Sequence, residues 1–142
     1  MAPKREHFKI LITDPLVKEM VNQAKNKFPE QASKIEWEVA EKGDEQELVA
    51  KVPGVDILVG ARNRISKNVF DKADKLIFIQ QCSAGYDNVD LKTAREKGVK
   101  VSNAGTAGVI PVAEHTLMLM LAISKNLMRC HETMKAGEWI FG

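Results

Sequence analysis

The chain has 142 residues and a mass of 15.8 kDa, enough to bury one hydrophobic core without a disulfide or metal staple. Hydrophobic residues make up 44% and charged residues 28%, which excludes wholesale disorder. Its 21 basic and 19 acidic side chains leave a formal charge of +2, and with no basic stripe there is no electrostatic case for nucleic acid. The longest apolar run, Leu117 to Ile123, has seven residues, far short of the roughly 20 that span a bilayer. The opening MAPKREHFKILITD carries no secretory apolar region. Two cysteines, Cys82 and Cys130, stand in no framework spacing, so the expected compartment is a reducing cytoplasm.

Short β-rich runs alternate with helical segments along the chain. Phe8 to Thr13 is an apolar run that stops at Asp14-Pro15, and Pro15 stands where a helix can begin, because its missing N–H would be unpaired there. Val17, Met20, Val21, Ala24 and Phe28 follow at helical spacing. Ile35 to Ala40 alternates as a strand does, and Glu45 to Val52 reads as a short helix stopped at Pro53-Gly54. Val55 to Val59 is a third strand, Ser66 to Ala73 a helix that Ser66 can cap, and Leu76 to Gln80 a fourth strand. Leu91 to Lys97 is a helix closed by Gly98, and Val99 to Ser102 a fifth strand.

Strands separated by helices predict a parallel sheet covered on both faces and linked by right-handed crossovers. The expected fold class is α/β, a flavodoxin-like doubly wound five-stranded parallel sheet in the order 2-1-3-4-5, followed by a long C-terminal helix. That helix is expected from Val109 to about Arg129, with Pro111 at its start and Glu114 near its positive end. Leu117 to Ile123 is apolar on every side, so more than one face needs cover. The expected division is a domain at 1–104 and a connecting and dimerisation segment at 105–142.

Four segments, in order, carry a resemblance. They are Ser83-Ala84-Gly85-Tyr86-Asp87-Asn88-Val89-Asp90 after the fourth strand, Gly98-Val99-Lys100-Val101-Ser102-Asn103, Val112-Ala113-Glu114-His115-Thr116-Leu117, and Gly137-Glu138-Trp139. Together they resemble the substrate loop, the G-[IV]-x-V-x-N strand, the VAEHT segment and the G-x-W element of the D-isomer-specific 2-hydroxyacid dehydrogenases, phosphoglycerate dehydrogenase-like. The likeness covers roughly residues 50 to 142, and the first 50 agree only in pattern.

The resemblance implies the substrate domain and connecting helix of an NAD(P)-dependent oxidoreductase that interconverts 2-oxo acids and D-2-hydroxy acids. It implies that the amides of Ala84 and Gly85 hold the substrate carboxylate in the Ser83 loop. Small residues there let backbone N–H groups approach an anion closely, at the strand end where open α/β sheets bind ligands. The bland alternative is a plain turn with Asp87 and Asp90 capping the next helix. Arg62, where relatives carry Arg-Ser, is a second candidate contact for substrate anions, weighed against a solvated surface arginine; Arg64 is expected at the surface. Val112 is the candidate nicotinamide neighbour, weighed against a first-turn core residue. Gly108 departs from the family, which frequently has Asn there, and so puts substrate orientation in question.

No catalytic residue is assigned, because the family's Arg, Glu and His lie in later segments. The nine glycines include no G-x-G pair, so the dinucleotide fingerprint is missing from this chain and NAD or NADP would be bound mainly by another domain. The chain alone is expected to be inactive, and the substrate and the choice of NAD or NADP stay open. His115 is expected to be a buried, hydrogen-bonded helix residue. Cys82 is expected to pack as a small apolar side chain. Cys130, His131 and Glu132 are adjacent on a helix and cannot converge on one ion, so no metal is expected. The expected partners are a small 2-oxo or 2-hydroxy carboxylic acid and a second copy of the chain through 109–139, with no nucleic acid and no membrane. A non-catalytic regulatory or interaction module derived from this domain is the alternative, and a flavin binder ranks last, because Thr13-Asp14-Pro15-Leu16 lacks a phosphate-cradling run of Ser, Thr and Gly.

Overall fold

The structure is a computed structural model describing residues 7–139. The chain divides into two compact units between Gly105 and Thr106. In the first, β1 (Phe8–Ile12), β2 (Ile35–Val39), β3 (Ile57–Gly60), β4 (Phe78–Gln81) and β5 (Lys100–Ser102) form one sheet in the order β2-β1-β3-β4-β5. Every pairing is parallel. The doubly wound α/β fold and its strand order are therefore those expected from the sequence.

The helices of this unit are α1 (Lys18–Lys27), α2 (Pro29–Ala32), α3 (Glu45–Lys51), α4 (Lys67–Lys72) and α5 (Leu91–Glu96). Successive strand residues point to opposite faces, so β1 feeds two cores. Leu11 joins Leu48, Val52, Leu58, Val69, Phe70 and Ile79 on one face. Ile12 joins Val17 and Val21 on the other, with Trp37, Val39 and Cys82 packed against them. Cys82 thus packs as a small apolar side chain. At the sheet edge β2 instead pairs Glu36 and Glu38 with Lys9 at 3.2 and 3.1 Å, and charge on an edge strand discourages pairing with other chains.

Several local expectations need correction. The segment after β1 opens with a 3-10 turn at Pro15–Val17 and only then becomes α1, with the unexpected α2 beyond it. Met20 and Phe28 are exposed, so the buried stripe of this region narrows to Val17 and Val21. Ser66 is the N-cap residue of α4, yet its side chain makes no capping bond. The hydroxyl donates to the Glu45 carboxylate, a charge-assisted bond that turns the side chain toward the start of α3. At α5 the expected stop is present: Gly98 has φ +71°, and Gly98 and Val99 donate to the Arg95 and Ala94 carbonyls, the paired bonds of a Schellman cap.

The second unit holds the largest difference. In place of one helix to Arg129 there are two, α6 (Val109–Ser124) and α7 (Leu127–Lys135). The break is at Asn126, the one described non-glycine residue with positive φ, at +50°. Asparagine visits this left-handed region more readily than most residues because its amide bonds locally. Pro111 is the third residue of α6 rather than its opener, still within the first four positions whose N–H groups lack helical acceptors. None of α6 is buried, and His115 is exposed rather than buried.

Candidate functional site

The loops leaving the carboxyl ends of β1, β3 and β4 gather at one edge of the sheet, because parallel strands all end on the same side. Arg62 is two residues beyond β3, and Ser83 to Gly85 begin two residues beyond β4. The Ser83 hydroxyl lies 3.2 Å from the Ala61 carbonyl and 3.0 Å from that of Gly85, which ties the two loops together. Two further ties follow: Asn88 Nδ2 donates to the Asn63 carbonyl at 2.7 Å, and the Ile65 N–H donates to the Asn88 carbonyl at 2.8 Å.

The Ala84 carbonyl is taken by Asn103 Nδ2 at 2.7 Å. The N–H groups of Ala84 and Gly85 make no hydrogen bond among the described residues, and both residues are exposed. Two successive free amides in an exposed turn can receive an anion. Gly85 lies outside the positive-φ region and a Cβ there would meet only Asp87 Oδ2 at 3.8 Å, so the turn itself does not require glycine. Of the two capping carboxylates in the bland reading, Asp90 does cap α5, accepting from the Thr93 N–H at 3.0 Å.

Arg62 is not a free surface arginine. Its Nε donates to Asp14 Oδ2 at 3.0 Å and its Nη2 to Oδ1 at 3.4 Å. The Asp14 side chain is 2% exposed and that of Arg62 69%. The arginine's hydrogen bond holds the Asp14 carboxyl below its usual range, against burial. Burial first, and then the Asp14 carboxylate, push the Cys82 thiol up. Asp14 and Asn63 were not singled out in the sequence, although an acidic residue at the carboxyl end of β1 is itself a signal in an open α/β sheet. Asn63 bridges loops: its Nδ2 donates to the Gly43 carbonyl at 2.8 Å, and its Oδ1 lies 3.4 Å from the Thr13 hydroxyl.

Arg64 is exposed, as expected, and lines an open cleft of about 340 Å³ with Ser66, Lys67, Asp87 and Asp90. Arg62 and Ser83 to Gly85 do not line that cleft. Val112 belongs to the second unit, in the first turn of α6, and the residue is 65% exposed. Gly108 precedes that turn with φ −96°, and a Cβ there would meet only Val112 Cγ2 at 3.9 Å, so the backbone does not demand glycine. Among the described residues no group of His, Cys, Asp and Glu is placed to hold a metal ion, and no helix is long and apolar enough to cross a membrane. Gly105 and Gly108 supply no doubled-glycine turn, so these residues do not build a pyrophosphate cradle.

A sequence profile of the D-isomer specific 2-hydroxyacid dehydrogenase catalytic domain matches residues 10–138, extending well ahead of the motifs that begin at Ser83. D-3-phosphoglycerate dehydrogenase of Methanocaldococcus jannaschii is 38% identical over 132 residues, 92% of this chain and 24% of the relative. Hydroxypyruvate reductase of Thermotoga maritima is 32% identical over 134 residues, 93% of this chain and 42% of the relative. The chain therefore spans from about a quarter to less than half of the length of these relatives. The fold also matches D-lactate dehydrogenase from Aquifex aeolicus, solved with NAD and lactic acid. There the TM-score is 0.73 at 18% identity, over 94% of this chain and 39% of that one. Motifs, sheet order and profile match agree that the chain belongs to the D-isomer-specific 2-hydroxyacid dehydrogenase family.

Proposed function

We propose that the first unit is the carboxylate-binding part of an NAD(P)-dependent oxidoreductase acting on a small 2-oxo or D-2-hydroxy acid. The observation that carries this reading is the pair of free amides at Ala84 and Gly85, on a loop tied by Ser83 to the loop bearing Arg62. Those amides take the carboxylate, and the remaining N–H groups of Arg62 take a second oxygen of the substrate. The nicotinamide cofactor, which accepts or donates the hydride, is held mainly by residues outside this chain, with Val112 as a wall beside it. The apolar surface of α6 supports a homodimer through 109–139, since exposed apolar area on this scale marks an interaction surface.

Oxamate, a non-reducible 2-oxo acid analogue, titrated into ¹⁵N-labelled protein should shift the Ala84 and Gly85 amides first. Silent amides at both positions would overturn the carboxylate site. In a parallel assay with 2-oxo acids, any longer polypeptide that contains this chain should oxidise NADH or NADPH, and residues 1–142 alone should not. Oxamate binding by this chain, with no turnover even when a nicotinamide-binding domain of a relative is supplied, would instead support the non-catalytic module.

A further inference from the structure

We infer that Asp14 is a positioning residue for this site: its buried carboxylate holds the Arg62 guanidinium in place, with part of its donor set left open for a ligand carboxylate. The inference rests on Arg62 being a ligand contact, as proposed above. A buried carboxylate needs both charge compensation and hydrogen bonds. Asp14 has them in the two-pronged contact from Arg62 and in the Leu16 N–H, 3.0 Å from Oδ1. The anion is fixed twice over, by burial and by its place as N-cap of the 3-10 turn at Pro15–Val17.

The cation is mostly in solvent. A free surface arginine is spread over many rotamers, and a ligand must freeze them to be bound. Anchored on Asp14, the Arg62 side chain has already lost that freedom. Two of the five guanidinium N–H donors meet Asp14, which leaves three for a ligand. Burial is the larger cause of the raised Cys82 thiol and the Asp14 carboxylate the second, so the carboxylate's charge reaches the start of the loop that carries Ala84 and Gly85.

Positioning and plain electrostatics predict opposite signs for Asp14→Asn. The asparagine amide oxygen can still accept from Leu16 but gives up the charged fork to Arg62. If the carboxylate acted only through its charge, its removal would strengthen anion binding. If it positions Arg62, its removal weakens binding.

The test is oxamate affinity by calorimetry on the 142-residue chain, for the parent protein, Asp14→Asn, Arg62→Ala and the double variant. Asp14→Asn should weaken oxamate roughly tenfold, the loss expected when the ligand must order the arginine itself. In the Arg62→Ala background the same change should not weaken binding further, because there is no guanidinium left to position. The Arg62 Nε–H resonance should be protected from exchange in the parent and exposed in Asp14→Asn.

Unchanged or tighter binding by Asp14→Asn overturns the inference while leaving the proposed function in place. Equal weakening in both backgrounds also overturns it, as the mark of a purely structural role. No effect of Arg62→Ala removes Arg62 from the site and the inference with it. Failure of the parent protein to bind oxamate sinks both readings. If Asp14→Asn does not fold, Arg62→Lys decides: it keeps the charge but cannot form the fork, so it should weaken binding comparably, and unchanged affinity would overturn the inference.

Discussion

The two units of the chain use apolar residues in opposite ways. In the sheet unit, Leu11, Leu48, Val52, Val55, Val69 and Phe70 are fully buried. In α6, Leu117, Met118, Leu119, Met120, Leu121 and Ile123 are 46–77% exposed. By composition α6 is the more hydrophobic region, yet it contains no core. Burial requires an opposing surface, and the sheet supplies two of them while the short α6–α7 segment supplies none within itself. The apolar character of the sheet unit is therefore information about folding, and that of α6 bears on the proposed homodimer rather than on a core of its own.

Several substitutions test this contrast. Phe70→Ala should lower the unfolding free energy by about 3–5 kcal/mol, read by denaturant titration, whereas Met120→Ala should change it by less than about 0.5 kcal/mol. Comparable losses at both positions would mean that α6 is covered in the folded monomer. Gly43→Ala should cost about 1–3 kcal/mol. Gly43 has φ +68°, and a Cβ would collide with the Thr13 carbonyl oxygen and with Asn63 Nδ2, so the change also strains the loops beside the candidate site. Leu121→Glu should leave the sheet unit's stability unaltered and shift a dimer to monomer in sedimentation; an unaltered dimer would place the interface elsewhere.

Two smaller effects probe local design in each unit. Ala at position 126 disfavours the left-handed turn by about 1–2 kcal/mol relative to the right-handed helix, so Asn126→Ala should raise helicity by circular dichroism, whereas Asn126→Gly should not. In the sheet unit, the Glu47 carboxylate accepts the N–H groups of Glu41, Lys42 and Gly43 at 2.7, 2.9 and 2.8 Å. Those bonds push its carboxyl down to about 2 from an ordinary 4.5. A lowered folded-state value means the contribution is fully present above the unfolded value near 4.5 and disappears as pH falls toward 2. Glu47→Gln should therefore be less stable than the parent above pH 4.5, with the gap closing in acid. A gap independent of pH would assign the loop's order to something other than this carboxylate.

The candidate site was legible in the sequence to different depths. Ser83, Ala84 and Gly85 stand out because a small-residue run at a strand end has a backbone function that residue type alone can suggest. Arg62 is visible as a charge after a strand, but its partner is 48 residues away in sequence, and nothing in the composition of Thr13-Asp14-Pro15 announces the pairing. Asn63 is harder still. Its bridging follows from contacts with Thr13, Gly43 and Asn88, residues that only the parallel sheet brings to one edge.

Local chemistry and periodicity, which act over a few residues, determined the alternation of strands and helices, the Gly98 stop, the parallel sheet and the family motifs. The tertiary structure decided what depends on distance through space. It turned the Ser66 hydroxyl to Glu45, narrowed the buried stripe to Val17 and Val21, and buried Asp14 beneath an exposed Arg62. It also broke the expected long helix at Asn126, where a left-handed residue lets α7 depart from α6. Helical periodicity continues across such a break, and so the break has no signature in the apolar pattern.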